Sequence, residues 1–113
     1  MKNEKEYLYI GHYIDTLDNY ILKVGTTSNL ARRLMQHNKF YPTAVKNPMK
    51  KNEQFSYDWF IKLSHANTLK YEASFKEAMR MIGENYVQND RFIFNENPKK
   101  IFVTIKKTYE VAL

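Results

Sequence analysis

Apolar and polar positions alternate in two runs near the N-terminus, "YLYIGHYI" over residues 7–14 and "YILKVG" over 20–25, with the turn-like "DTLDN" between them. Two β-favouring runs joined by Asp- and Asn-rich chain predict a hairpin. Centred near Leu17, it sets Tyr9, Gly11 and Tyr13 on one face with Ile21, Lys23 and Gly25. Leu8, Ile10, Leu22 and Val24 fall on the other face, which suits a core. The first face is expected to present phenols, a lysine and bare glycine backbone.

The period then lengthens. In "LARRLMQHNK" Leu30 and Leu34 are spaced to pack inward, Ser28 or Asn29 can cap the helix, and Arg33 and His37 form an i,i+4 pair on a neighbouring stripe. Residues 41–54, with two prolines and several lysines, predict a loop. "FSYDWFIKLS" alternates again, which points Phe55, Tyr57, Trp59, Ile61 and Leu63 one way along a half-buried strand. Residues 66–82 read as a helix stopped by Gly83, with an apolar stripe through Leu69, Phe75, Met79 and Ile82. Glu72 falls in or beside that stripe, where a carboxylate needs a cation, a metal or a hydrogen-bond donor. The alternative is an ordinary surface pair with Lys76 at i,i+4. "RFIF" follows as a short strand, and the class of the segment after it is left open.

These elements predict a small single α+β domain over residues 1–113. Its three-stranded antiparallel sheet, the N-terminal hairpin plus one further strand, is flanked by helices, with a short C-terminal strand or helix added. The core would span about 7–94, and 95–113 would be a C-terminal extension.

Composition narrows the chemistry. With no Cys, disulfides, thiolate zinc sites and thiol nucleophiles are excluded. No run approaches the roughly 20 apolar residues of a membrane span, and "MKNEKEYLYIG" lacks the apolar core of a signal peptide. A soluble intracellular protein, in the cytoplasm or nucleus of a host cell, is expected. Nine Tyr and seven Phe supply packing volume, so an aromatic residue alone signals little. The formal charge of +6 is unevenly spread: no acidic residue lies between Asp18 and Glu53, an interval holding Lys23, Arg32, Arg33, Lys39, Lys46, Lys50 and Lys51. One-sign stretches favour polyanions, so a nucleic acid, DNA foremost, is the expected partner.

Tyr9 or Tyr13, Lys23, Gly25, Arg33, His37 and Glu72, in that order, resemble the motif set of the GIY-YIG nuclease superfamily. "YLYIG" is similar to the first motif, with Tyr9 in the tyrosine position and Tyr13 of "GHY" in a competing register. "KVGTTSNLARRLMQH" is similar to the second motif and its arginine helix, with Lys23 where most members carry tyrosine, as in the viral and phage-type branch. "LKYEASF" is similar to the metal-binding glutamate helix. The resemblance implies hydrolysis of a phosphodiester by one divalent cation, Mg²⁺ or Mn²⁺, held by Glu72. A tyrosine would act as general base, Arg33 would bind the non-bridging oxygens, and Lys23 would favour the phenolate. His37 would relay a proton or contact DNA. Gly25, Thr26, Arg32, Lys39, Lys46, Lys50 and Lys51 are the expected nucleic-acid contacts, Gly25 by letting backbone approach a phosphate. Target specificity would come from the 41–54 loop, the C-terminal tail, a homodimer or a partner protein. The competing reading is a non-catalytic nucleic-acid-binding module of the same fold.

Overall fold

The computed structural model describes residues 5–82, 85–86, 91–94, 97, 100 and 103. Strand β1 (Lys5–Ile14) turns back into β2 (Tyr20–Thr27), followed by helix α1 (Leu30–Phe40), a short 3₁₀ turn (Tyr41–Thr43), β3 (Ser56–Ser64), α2 (His65–Ile82), a two-residue β4 (Asn85–Tyr86) and β5 (Arg91–Phe94). The class is α+β, but the sheet is larger than three strands. Its order is β3-β1-β2-β5-β4, all pairs antiparallel. The extra strands arise because "RFIF" pairs with the outer side of β2, from Tyr20↔Phe94 to Lys23↔Arg91. No described helix is long and apolar enough to cross a membrane.

The hairpin has the register that its pattern dictates, with Tyr9↔Gly25, Gly11↔Lys23 and Tyr13↔Ile21. The turn is held by Asp15, fully buried, whose carboxylate accepts from the backbone N–H of Leu17 at 2.9 Å and of Asn19 at 2.8 Å. Asp18 takes the left-handed conformation (φ 64°) that this turn needs and that Asx residues tolerate. A third bond to the Asp15 carboxylate comes from Asn47 Nδ2 at 2.7 Å, which ties the loop to the hairpin.

Both faces of the sheet are covered. Leu8, Ile10, Leu22 and Val24 pack under α2 through Phe75, Ala78 and Met79. The opposite face is also closed, contrary to the expectation of an open surface. Tyr9, Tyr13 and Ile21 lie under Leu30 and Leu34 of α1 and under Tyr41, Met49 and Phe55. The 41–54 segment is a loop, as expected, and it also covers core: Tyr41 and Met49 within it and Phe55 just beyond are buried, which outweighs the ordering of the chain between them.

Two alternation patterns are broken. The pairing of β1 with β3 shifts between Ile10 and Gly11, so that Gly11 meets Tyr57, Ile10 meets Trp59, and Asp58 is the extra residue. A bulge reverses which side chains face which way beyond it. Phe55 and Tyr57 accordingly join the α1 face, while Trp59, Ile61 and Leu63 join the α2 face. In α2, Leu69 is about half exposed and Thr68 is fully buried in its place. Thr68 Oγ1 satisfies itself on the Ser64 carbonyl at 2.8 Å. The expected stop at Gly83 lies outside the described residues.

Candidate active site

Asn29 begins the site. Its side chain accepts from Arg32 N at 3.0 Å, capping α1. With Leu30 and Leu34 turned to the sheet, the Arg33–His37 stripe runs along the edge of that contact. His37 is nearly covered, and its Nε2 sits 2.6 Å from the Tyr9 phenol oxygen. The ring stacks on Tyr41 at 4.8 Å between centroids with a 7° interplanar angle, and Phe55 meets it edge-on.

Burial first, then the charges of Lys23 and Arg33, pushes the His37 imidazole down to about 3. It is therefore neutral at physiological pH. Burial likewise pushes the Tyr9 phenol above its ordinary value, so Tyr9 keeps its proton and shares a hydrogen bond with His37 Nε2. The opposing pull comes from the positive charge of Arg33; Tyr57 and Glu72 push the same way as burial. Arg33 is thus close enough to Tyr9 to oppose part of the burial, whereas Glu72 sits on α2, which packs on the other face of the sheet.

Gly25 lies opposite Tyr9, and the ring occupies the space a side chain would need. A Cβ there would come within 2.4 Å of the phenol oxygen and 2.5 Å of Cζ. The glycine accommodates a tyrosine ring, which corrects the expectation that it leaves backbone bare for a phosphate.

A surface cavity of about 240 Å³ opens beside this group, lined by Lys23, Arg33, Gln36, His37, Phe40 and Tyr41. Its wall carries two cations and a neutral imidazole and no carboxylate, so it suits an anion. Tyr9 is fully covered beneath it. Glu72 is mostly buried on α2, its Oε2 3.3 Å from Lys76 Nζ. Both i,i+4 pairing and the inward placement are thus realised. The lysine engages one of two carboxylate oxygens, and a single hard cation needs only one such ligand with waters completing its shell. Glu72 fits that role; among the described residues no three His, Asp or Glu side chains converge into a larger cage.

The other predicted residues lie elsewhere. Tyr13 donates to the Asn47 carbonyl at 2.6 Å and accepts from Arg91 Nη1, stacking on Tyr41 at 4.7 Å. It lines a second, polar cavity of about 340 Å³ with His12 and Ser56, away from Arg33. Thr26 pairs with Leu8 and so points to the α2 face, opposite Gly25. Arg32, Lys39, Lys46 and Lys51 are exposed and do not line the anion cavity. Lys50 is held by Asp18 at 2.6 Å, which offsets part of the one-sign charge.

Sequence reasoning missed Gln36, Tyr41, Tyr57 and Arg91. Tyr57 donates to the Leu30 carbonyl at 2.7 Å and so anchors the start of α1. Arg91 is fully buried, reaches the Lys46 carbonyl at 3.0 Å and lies over the Tyr41 ring. Only the odd placement of an arginine at the head of an apolar strand hinted at it.

Fold and site together define a small α+β domain with a buried Tyr–His pair beneath a cationic, anion-sized cavity. The chain belongs to the T5orf172 domain family, a phage-associated family whose model matches residues 6–107. No curated protein and no solved structure matches it.

Proposed function

We propose that this domain is a metal-dependent DNA endonuclease or nickase of the GIY-YIG type. The observation that carries this reading is the Tyr9–His37 pair packed over Gly25, with Arg33 and His37 lining one cationic cavity. The order and spacing of these residues resemble that superfamily, and the T5orf172 family's relation to GIY-YIG-like nucleases agrees with it.

In this mechanism a phosphate enters the cavity between Lys23 and Arg33. Arg33, planar and always charged, takes the non-bridging oxygens as their charge grows. The incoming chain must part Arg33 and His37 to bring water to the covered phenol. Tyr9, held 2.6 Å from His37 Nε2, releases its phenolic proton to solvent admitted with the substrate, and the phenolate then takes a proton from the attacking water. His37 holds the phenol in one orientation, and Lys23 adds positive potential that favours the phenolate. Mg²⁺ or Mn²⁺ on Glu72 would polarise a phosphate oxygen and cancel the carboxylate charge that opposes ionisation of Tyr9.

Incubation of the purified protein with supercoiled plasmid and Mg²⁺ or Mn²⁺ tests the proposal. Nicked or linear product is expected, reduced roughly 10²–10³-fold in Arg33→Ala and abolished in Glu72→Ala. Absence of cleavage, or cleavage that survives in both variants, rejects it.

The cover over Tyr9 and the Lys76 contact on Glu72 favour a second reading, a nucleic-acid-binding module without hydrolysis. That reading predicts salt-sensitive DNA binding and no product.

A further inference from the structure

The face of the sheet that α1 covers does not end at Tyr9. Towards the outer strand, cross-strand pairing sets Lys62 opposite Tyr7 and Phe60 opposite Tyr9, all on that same face. Phe60 is half exposed there. Its ring meets Tyr7 edge-on at 6.0 Å and Tyr57 at 6.2 Å, and Tyr57 meets Tyr9 at 5.0 Å. A continuous chain of rings thus runs from the candidate catalytic phenol out to open surface. Lys62 Nζ lies 5.6 Å over the Tyr7 ring, and Lys5 is exposed at the next position along β1.

A single exposed phenylalanine is ordinary, but this one ends a run of rings flanked by lysines. The charges say what such a surface suits. On this face the described residues of β1 and β3, and the whole of α1, carry no carboxylate. The two nearby acids are turned away: Glu6 pairs with His65, and Asp58 in the bulge pairs with His12 at 2.8 Å. Aromatic rings interleaved with lysines on a sheet suit bases that are unstacked from a duplex, because each base offers a π face and each linking phosphate a charge. A base inside a duplex has both faces occupied and cannot use such rings.

We infer that Tyr7, Phe60 and Lys62 form a stacking platform for unpaired bases of a DNA substrate, beside the phosphate that Arg33 receives. This rests on the nuclease reading and specifies it. The preferred substrate carries single-stranded or splayed nucleotides next to the scissile bond.

Fluorescence anisotropy in EDTA, with a short labelled oligothymidine and a fully paired duplex of equal length, tests the platform without any cleavage. The oligothymidine is expected to bind more tightly than the duplex. Phe60→Leu, which keeps an apolar side chain but not a π face, should weaken oligothymidine binding roughly tenfold and leave duplex binding nearly unchanged. Phe60→Tyr should retain it. Equal binding of both probes, or a Phe60→Leu loss of the same size on each, overturns the inference. Plasmid cleavage by the same preparations in Mg²⁺ separates the two proposals. Cleavage with Phe60-independent binding removes the platform and keeps the nuclease. Phe60-dependent single-strand binding without cleavage keeps the platform and removes the nuclease.

Discussion

Replacing Gly25 by alanine puts a methyl carbon 2.4 Å from the Tyr9 oxygen, 2.5 Å from Cζ and 3.0 Å from Cε2. Ordinary contact between such atoms is roughly 3.5 Å or more, so the ring must move by about 1 Å. It has little room, because Phe55, Tyr57 and His37 pack around it. A shift of that size away from α1's histidine stretches the 2.6 Å bond to His37 beyond hydrogen-bond range. Overpacking of this kind costs about 1–3 kcal/mol. Losing the buried bond adds about 1–3 kcal/mol more, since both polar groups stay covered. The sign is diagnostic, because Gly→Ala within a strand is otherwise stabilising by roughly 0.5–1 kcal/mol. Urea denaturation of Gly25→Ala should therefore show a loss of about 1–5 kcal/mol, together with a loss of cleavage. In a Tyr9→Ala background the same substitution should cost almost nothing, which gives a strong coupling in the double-mutant cycle. If Gly25→Ala is neutral or stabilising in the wild-type background, the ring does not lie across the glycine and the site's foundation is wrong.

The remaining predictions concern charge and buried hydrogen bonds. His37 is depressed from 6.5 to about 3 by burial, Lys23 and Arg33. Below about 6.5 the unfolded chain takes up a proton that the folded one refuses. Stability should be full above that pH, fall as pH drops towards 3, and be about 2 kcal/mol lower at pH 5. His37→Gln should flatten this slope in urea titrations at several pH values; parallel profiles would contradict it. Lys76→Gln removes the amine from Glu72 and should lower the Mg²⁺ concentration for half-maximal cleavage several-fold. An unchanged Mg²⁺ dependence would remove Glu72 as the metal ligand. Asp15→Ala removes the acceptor of four hydrogen bonds, from Leu17 N, Asn19 N, Asn19 Nδ2 and Asn47 Nδ2, and should cost about 3 kcal/mol or more, read as a lower urea midpoint at constant m-value.

The hairpin register was legible because it follows from local order alone: a period of two and a turn with Asx residues leave few other pairings. The cap on α1 and the stripe joining Arg33 to His37 were equally local, as each needs only residues within one or two turns. Chemical candidates could be named on the same basis, since spacing along one element fixes which side chains are neighbours. The bulge at Asp58 was not legible, for nothing in "FSYDWFIKLS" marks the residue that a partner strand will leave unpaired.

What the sequence by itself determined was the α+β class, the two hairpin faces, the capped arginine helix and the residue types available for phosphate chemistry. Tertiary structure alone decided that the tyrosine face is closed, that Gly25 receives the Tyr9 ring, and that Tyr13 serves Arg91 rather than Arg33. The reason is the distance along the chain. Tyr9 meets His37 across 28 positions and Arg91 meets Tyr13 across 78. Contacts of that span are selected by how two covered surfaces fit together, which periodicity within either segment does not encode.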